Sequence, residues 1–256
     1  PSTYRPGFHT IRPDSNWFLE QWIPFDFSNQ STDNEGDQPD LTLGRYGDWR
    51  RATKSWTPYH PDIDDYQKKG NCRRWIFRCL NMEARLRELT QLDVDEAFKQ
   101  ADSGETTVLS FTNHDFRKMS YEIDKIRNCI KRAQVKFPDV QIIFSSAINA
   151  AREVLHLKPN RVDLNLELIE NKDDLIKIKV TTNSNIFGPQ PFLAIKTKKN
   201  EYIWENFDKG LSEFEWYFTF DNMHIPSSII DKIGIAANSF DGTTEVVNLD
   251  VKSLQI

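Results

Sequence analysis

The middle of the chain alternates apolar runs with segments of helical spacing. Residues 106–112 are rich in β-branched and apolar side chains, which predicts a buried strand. In residues 120–137 the apolar positions recur three and four apart, which predicts a helix that ends before a proline. A second apolar run at 140–144 predicts another strand, and residues 145–155 open with two serines and predict a capped helix. This order predicts a βαβα unit with parallel strands.

The part of the chain before this unit is less regular. Residues 90–104 begin with a capping-box pattern and end with Ser-Gly, which predicts one more helix. Residues 72–89 fit a helix and a strand equally, and the polar residues 28–40 predict a loop. Residues 44–70 hold many aromatic residues and prolines with little periodicity, and long irregular segments of this kind are usually functional.

After Pro159 the pattern changes to strict alternation. Apolar residues alternate with polar ones in 162–168 and again in 176–180, which is typical of half-buried strands. Further runs with strand character are 192–197, 214–220, 233–237 and 245–249. A series of short strands of this kind predicts a β-sandwich. We therefore expect two domains, residues 1–157 and residues 158–256, with the boundary near Lys158.

Composition excludes several classes of protein. The 256 residues are 38% hydrophobic and 28% charged, which is typical of a globular chain and not of a disordered one. The net charge of -5 disfavours nonspecific electrostatic binding to nucleic acid phosphates. No apolar run is long enough to predict a membrane span. Three cysteines cannot all pair, which slightly favours a reducing, cytoplasmic compartment. The chain begins at Pro1 without Met, so we expect that it is processed or is one piece of a larger polypeptide.

The first candidate for chemistry follows the predicted strand 106–112. His114 and Asp115 come directly after it, at the carboxyl end where parallel α/β proteins build their sites. A histidine exchanges protons near neutral pH, and an adjacent carboxylate can orient it, so both are candidate catalytic residues. The alternative is a surface turn that only caps the next helix.

The second candidate lies in the irregular segment 44–70. Aromatic rings interleaved with arginines and carboxylates predict a cleft for a polar ligand with apolar faces, such as a sugar. The candidate substrate-binding residues are Asp48, Trp49, Arg50, Trp56, Tyr59 and His60. His60 with the nearby Asp62 and Asp64 also suggests metal ligands, although acidic residues after a histidine more often belong to a solvated loop. In the second domain, Trp204, Trp216 and Tyr217 are candidates for a ligand platform, although aromatic residues on strands are more often core.

Three motifs in this order resemble the C-terminal half of a polysaccharide deacetylase catalytic domain, a family of carbohydrate esterases. They are Tyr4-Arg5-Pro6-Gly7-Phe8, Gly47-Asp48-Trp49 and the strand Val108–Thr112 that leads to Asn113-His114-Asp115. The resemblance implies that Arg5 orients a catalytic base, that Asp48 and Trp49 line the pocket for an acetylated sugar, and that His114 protonates the leaving amine. The motif does not assign a role to Asp115. The fold that this implies is α/β, a partial (β/α) barrel of the deacetylase type followed by an all-β sandwich domain.

The chain departs from the family in its metal site. The family's paired aspartates and His-x-x-x-His motif are absent, since no two histidines lie four apart and the only Asp-Asp pairs are Asp64-Asp65 and Asp173-Asp174. A divalent metal, zinc by the resemblance, is therefore expected only if an N-terminal half outside this chain supplies it; no metal ligands are evident here. Two hypotheses remain: the C-terminal portion of a metal-dependent deacetylase, or a non-catalytic carbohydrate-binding or scaffold protein. The expected partners are a glycan and the chain's own N-terminal half, with no nucleic acid and no membrane.

Overall fold

The chain divides into two units between Lys158 and Pro159. Thr3–Lys158 forms one unit, and Pro159–Ile256 forms the other together with Pro1–Ser2. The computed structural model describes residues 1–7, 11–32, 47–82, 88–114, 116, 118–172 and 174–251.

Within the part of this unit that the structure describes, four short strands form a parallel sheet. They are β1 (Thr3–Tyr4), β2 (Phe25–Asn29), β3 (Trp75–Asn81) and β4 (Ser110–Thr112). Each strand pairs in parallel with the next, in the order β1-β2-β3-β4, and the sheet curls into a half-barrel. The predicted mixed α/β class with parallel strands is thus confirmed, and the ambiguous segment 72–89 contains a strand.

Helices cover both faces of this sheet. They are α1 (Pro13–Trp22), α2 (Gln91–Asp102), α3 (Ser120–Lys136) and α4 (Ala147–Val154). Ile76 and Leu80 of β3 face the clusters that contain α1, α2 and α3, whereas Phe77 packs against the cluster of α4. Among the helices that the structure describes, none combines the length and the apolar character needed to cross a membrane.

The boundaries of α2 and α4 follow the predicted capping signals. At the start of α2 the Thr90 side chain accepts from the backbone N–H of Asp93, and the Asp93 carboxylate accepts from the backbone N–H of Thr90 at 3.0 Å. Gly104 closes this helix with a φ of 83°, a left-handed conformation that suits glycine. Ser146 caps α4 by accepting from the backbone N–H of Asn149. These helices were predicted correctly because their signals are local.

Two predicted strands of this unit need correction. Residues 140–144 form no strand, and their Ile143 and Phe144 side chains are 75% and 76% exposed. Val140 and Ile142 instead pack against the cluster of α2 and α3, so the apolar run serves packing without backbone pairing. The run 106–112 is a strand only over its last three residues. The predicted loop 28–40 begins inside β2, and residues 33–40 lie outside the described part of the chain.

A buried ionic cluster joins the sheet to α1. Arg74 and Asp26 are both fully buried, with Arg74 Nε 3.5 Å from Asp26 Oδ2, and Arg74 Nη1 is 3.8 Å from Glu20 Oε2. Arg74 Nη1 also donates to the backbone oxygen of Asn16 at 3.2 Å, and the Ser28 hydroxyl donates to Asp26. Burial raises the pKa of the Asp26 carboxyl, and the adjacent guanidinium opposes that rise.

Eight antiparallel strands are present in the described residues of the second unit. They are β5 (Leu164–Lys172), β6 (Leu175–Thr182), β7 (Phe192–Thr197), β8 (Tyr202–Glu205), β9 (Asp208–Lys209), β10 (Glu215–Phe220), β11 (Ile230–Asn238) and β12 (Thr244–Asp250). They form two four-stranded sheets in the orders β5-β6-β10-β9 and β12-β11-β7-β8. Inward residues of both sheets, such as Ile178 and Ile195, share one apolar core. The strands β8 and β9 were not predicted, because both are short and largely exposed.

Candidate functional site

The carboxyl ends of the four parallel strands bring several polar side chains to one edge of the sheet. Arg5 follows β1, Gln30 follows β2, Asn81 ends β3, and His114 comes two residues after β4. Neighbouring parallel strands end on the same side, which is where α/β proteins commonly build their sites. We call these four residues the carboxyl edge.

Arg5 is tied to the end of β3 across the intervening strand. Its Nη2 donates to Asn81 Oδ1 at 2.9 Å, and Gln30 Nε2 lies 3.5 Å from the same oxygen. Gln30 and Asn81 are almost completely buried, and burial also lowers the pKa of the Arg5 guanidinium. The backbone oxygen of Asn81 accepts from Leu89 at 2.7 Å, which fixes the position of this asparagine. A guanidinium and two side-chain amides are therefore held together at the carboxyl edge.

The end of β2 is fixed by a second set of hydrogen bonds. Asn29 Nδ2 donates to the backbone oxygen of Thr53 at 2.8 Å, and Ser31 Oγ donates to that of Ala52 at 3.0 Å. The backbone oxygen of Ser31 accepts from Arg78 Nε at 2.9 Å. Gln30 therefore stands between two anchored neighbours, and its backbone is organised before any ligand binds.

Cys79 lies on β3, two residues before Asn81, and lines the same cavity as Arg5. It is a free, buried cysteine, and burial raises its pKa to about 11, although the nearby Arg5 guanidinium lowers it in part. Its thiol is therefore protonated at neutral pH and is a packing group, not a nucleophile. Cys72 and Cys129 are free and buried as well, as expected for an odd number of cysteines.

His114 is the exposed member of the carboxyl edge. Its backbone N–H donates to Asn113 Oδ1 at 2.7 Å, and its ring centroid lies 5.2 Å from that of Phe116. Asp115 lies outside the described residues, as does Arg117, so its predicted role in orienting His114 stays a prediction. The imidazole is accessible to a ligand from solvent.

A cavity of about 880 Å³ borders this region and is lined by residues of α2, α3 and α4 and of the segment 140–145. Arg5, Cys79 and Ser110 contribute polar atoms to its lining, while Phe27 and Leu109 contribute apolar surface. Pockets of this size and mixed character are typical of small-molecule and sugar sites.

The predicted aromatic cleft is instead part of the core. Trp49, Trp56 and Tyr59 are almost completely buried. Trp56 Nε1 donates to the backbone oxygen of Asp93 at 3.1 Å, and the Tyr59 hydroxyl donates to that of Tyr66 at 2.8 Å. Burial also raises the pKa of Tyr59. Rings that are closed off in this way do not reach a ligand. The prediction of a cleft rested on aromatic composition, which does not distinguish a cleft from a core.

The other three predicted binding residues have partners of their own. Arg50 Nη2 and Asp48 Oδ2 form an ion pair at 2.8 Å, and this hydrogen-bonded guanidinium lowers the pKa of Asp48. His60 Nδ1 lies 3.0 Å from the backbone oxygen of Arg74, and its ring lies against Trp75. The structure does not bring these residues to the carboxyl edge by any described contact.

The donor set does not fit the metal that the resemblance implies. Asp62, near His60, uses its Oδ1 to accept from the backbone N–H groups of Asp64 and Asp65. Across the residues that the structure describes, no group of three or more His, Cys, Asp or Glu side chains is arranged to hold a metal ion. We therefore derive no chemical step through a metal.

Sequence reasoning predicted Arg5 and His114 as site residues but did not single out Gln30 and Asn81. The available signal was a polar residue directly after a buried apolar strand, as in 25–31 and 75–81. Comparison of the chain with protein-family models, with curated proteins and with solved structures gives no match.

Proposed function

We propose that the Thr3–Lys158 unit binds an N-acetylated carbohydrate at the carboxyl edge. The observation that supports this most directly is the hydrogen bond between Arg5 Nη2 and Asn81 Oδ1, which gathers polar groups from three strand ends beside Gln30. Arg5 also lines the cavity of about 880 Å³. The unit thus places a hydrogen-bonded guanidinium beside a space of ligand size.

The chemistry of these side chains suits a sugar. The Arg5 guanidinium donates to hydroxyl and acetyl oxygens. The buried Asn81 amide accepts from this guanidinium and holds it in place. The apolar lining by Phe27 and Leu109 suits the hydrophobic face of a sugar ring and an acetyl methyl group.

The test is the replacement of Arg5 by lysine. Lysine keeps the charge but loses the planar set of donors, so we expect chitopentaose, the pentamer of β-1,4-linked N-acetylglucosamine, to bind at least about tenfold more weakly. Isothermal titration calorimetry measures this. The matched control is Arg50→Lys, whose exposed guanidinium pairs with Asp48 and should leave the affinity unchanged. Equal affinities of Arg5→Lys and the unaltered chain, or no binding by the unaltered chain, would overturn the proposal.

A second candidate function is the C-terminal portion of a metal-dependent deacetylase acting on the same ligand. It is favoured by the positions of Arg5 and His114, which follow the first and last strands of one parallel sheet. In this function His114 holds a proton and delivers it to the leaving amine nitrogen. The metal and the base would come from a portion other than the residues described here.

The second candidate predicts a large effect of His114→Ala. Loss of a general acid should lower the rate of acetate release from chitopentaose about 100-fold or more in the complete protein that this candidate requires, in assays with and without added Zn²⁺. His224→Ala is the control, since His224 lies in the second unit and faces Glu205. Unchanged turnover in His114→Ala would refute the role of His114. Absence of acetate release by the unaltered complete protein would reject this candidate and leave the binding proposal in place.

A further inference from the structure

The second unit presents two aromatic rings on one face of an edge strand. Tyr202 and Trp204 of β8 have exposed fractions of 78% and 59%. They are two residues apart, so both point outward, about 7 Å apart along the strand, while Ile203 packs against the core. The sequence singled out Trp204 together with Trp216, but Trp216 is buried.

The backbone around these rings is held firmly. In the turn between β7 and β8, Asn200 has a φ of 63°, and its N–H donates to the backbone oxygen of Thr197 at 2.9 Å. Thr197 N–H donates in turn to the backbone oxygen of Glu201 at 2.9 Å, and Lys198 N–H donates to that of Ile229 at 2.8 Å. The rings are therefore presented by an ordered hairpin, which lowers the entropic cost of binding a ligand.

The residues beside Trp204 on the sheet surface have small side chains. In register across the sheet, Trp204 on β8 pairs with Ala194 on β7, Ala194 with Gly234 on β11, and Gly234 with Asn248 on β12. Alanine and glycine do not fill the space beside an indole ring, so this row is a shallow groove about 14 Å long, or three strand spacings. A Cβ atom on Gly234 would come within 3.2 Å of Asn248 Oδ1. Trp204 closes one end of the groove and the Asn248 amide closes the other.

Charged groups of opposite sign lie next to the groove. Lys196 Nζ lies 3.2 Å from Asp231 Oδ2, and Lys232 stands opposite Asp250 in register. A surface with paired charges offers no net attraction to a nucleic acid or to a strongly charged peptide. It favours an uncharged ligand that carries both hydroxyl groups and apolar faces.

We propose that this groove, defined by Tyr202, Trp204, Ala194, Gly234 and Asn248, is a second binding site for an uncharged β-linked oligosaccharide. Aromatic rings pack against the apolar faces of sugar rings, and the Asn248 amide binds hydroxyl groups. A stable protein interface needs about 800 Å² on each partner and a central apolar anchor. Two rings bordered by lysines and carboxylates suit a sugar chain better. The proposal goes beyond the carboxyl edge, because its residues lie in the other unit.

The test follows the indole N–H signals of the ¹⁵N-labelled full chain by NMR. We expect the signal of Trp204, assigned with Trp204→Phe, to shift on titration with cellopentaose, the β-1,4-linked glucose pentamer. Trp204→Ala should weaken binding about tenfold or more, as loss of an aromatic anchor does. Ala194→Gln should do the same, because it fills the groove while the indole stays in place. Tyr217→Ala, on the other sheet, is the matched control and should bind as the unaltered chain does.

The outcomes separate this site from the carboxyl edge. Arg5→Lys should leave cellopentaose binding intact, whereas Trp204→Ala should leave intact the chitopentaose binding that depends on Arg5. Cellopentaose affinities of Trp204→Ala and Ala194→Gln equal to that of the unaltered chain would overturn the proposal. So would an unshifted Trp204 signal in the unaltered chain.

Discussion

Replacement of Arg74 by methionine is expected to lower the free energy of unfolding of the Thr3–Lys158 unit by about 3–5 kcal/mol. Arg74 is fully buried and is the cation that the structure places beside the buried Asp26 and the nearby Glu20. Methionine fills much of the same volume, so the loss comes mainly from leaving carboxylates without a counter-ion. Urea unfolding followed by tryptophan fluorescence measures the change. Hydrogen exchange in peptides from 75–81 assigns it to this unit.

The neighbouring residue supplies the control for this prediction. Arg73 also contacts Glu20, with Nε 3.4 Å from Oε1, but its side chain is half-exposed. Arg73→Met should therefore cost no more than about 1 kcal/mol, as exposed ion pairs do. Equal losses in the two variants would show that burial of Arg74 does not matter and would contradict the prediction.

The loss in Arg74→Met should also depend on pH. Burial already raises the pKa of Asp26, and removal of the guanidinium raises it further. A carboxyl group whose pKa is higher in the folded state than in the unfolded state contributes stability at low pH that disappears as the pH rises. The difference in unfolding free energy between Arg74→Met and the unaltered chain should therefore be smaller at pH 5 than at pH 8.

The second large effect is expected for Trp56→Ala, which should cost about 3–5 kcal/mol of stability. The Trp56 ring is buried among residues of α2 and α3, and the Arg78 guanidinium stacks over it at 4.3 Å from the ring centroid. Its removal leaves a cavity and also releases Arg78, which otherwise holds Ser31 and Asp93. Urea unfolding followed by circular dichroism measures the loss without relying on the deleted fluorophore.

The contrasting variant is Trp17→Ala. The Trp17 ring is 56% exposed, so its removal should cost much less than that of Trp56. If Trp56→Ala left stability unchanged but weakened chitopentaose binding, Trp56 would be a ligand contact and its assignment to the core would be wrong. If stability falls as expected and chitopentaose affinity is unchanged, Trp56 is a core residue and the predicted aromatic cleft is excluded at this position.

The fold could be predicted best where the signals are local. The Thr90 capping box and the Ser146 cap are contained in four residues each, and alternation in 176–180 reports one buried face of a strand. Strand β3 gave no such signal, because it is buried on both faces and therefore has no period of two. Residues 140–144 show the converse, since an apolar run can pack without pairing.

The candidate site was predictable only in part, for a physical reason. Arg5 and His114 stand next to strand ends, which a pattern can locate. Gln30 and Asn81 are neutral amides whose role depends on a hydrogen bond that spans residues 5 and 81, and no local pattern encodes such a contact. Trp49 was predicted to lie in a cleft, but the structure buries it. The presence of a tryptophan in the sequence does not distinguish a cleft from a core.

The helix α4 is a wall of the cavity that can change without changing the carboxyl edge. One wall of the cavity is built from a single eight-residue helix, which contributes Ala147, Asn149, Ala150, Glu153 and Val154 to the lining. Two of these five side chains are methyl groups, the smallest in this wall. Larger residues at positions 147 and 150 would shorten the space available to a ligand while the four strands and the carboxyl edge stay as they are. Ligand length can thus be tuned, by selection or by engineering, on one short element that is separate from the polar groups that recognise the ligand.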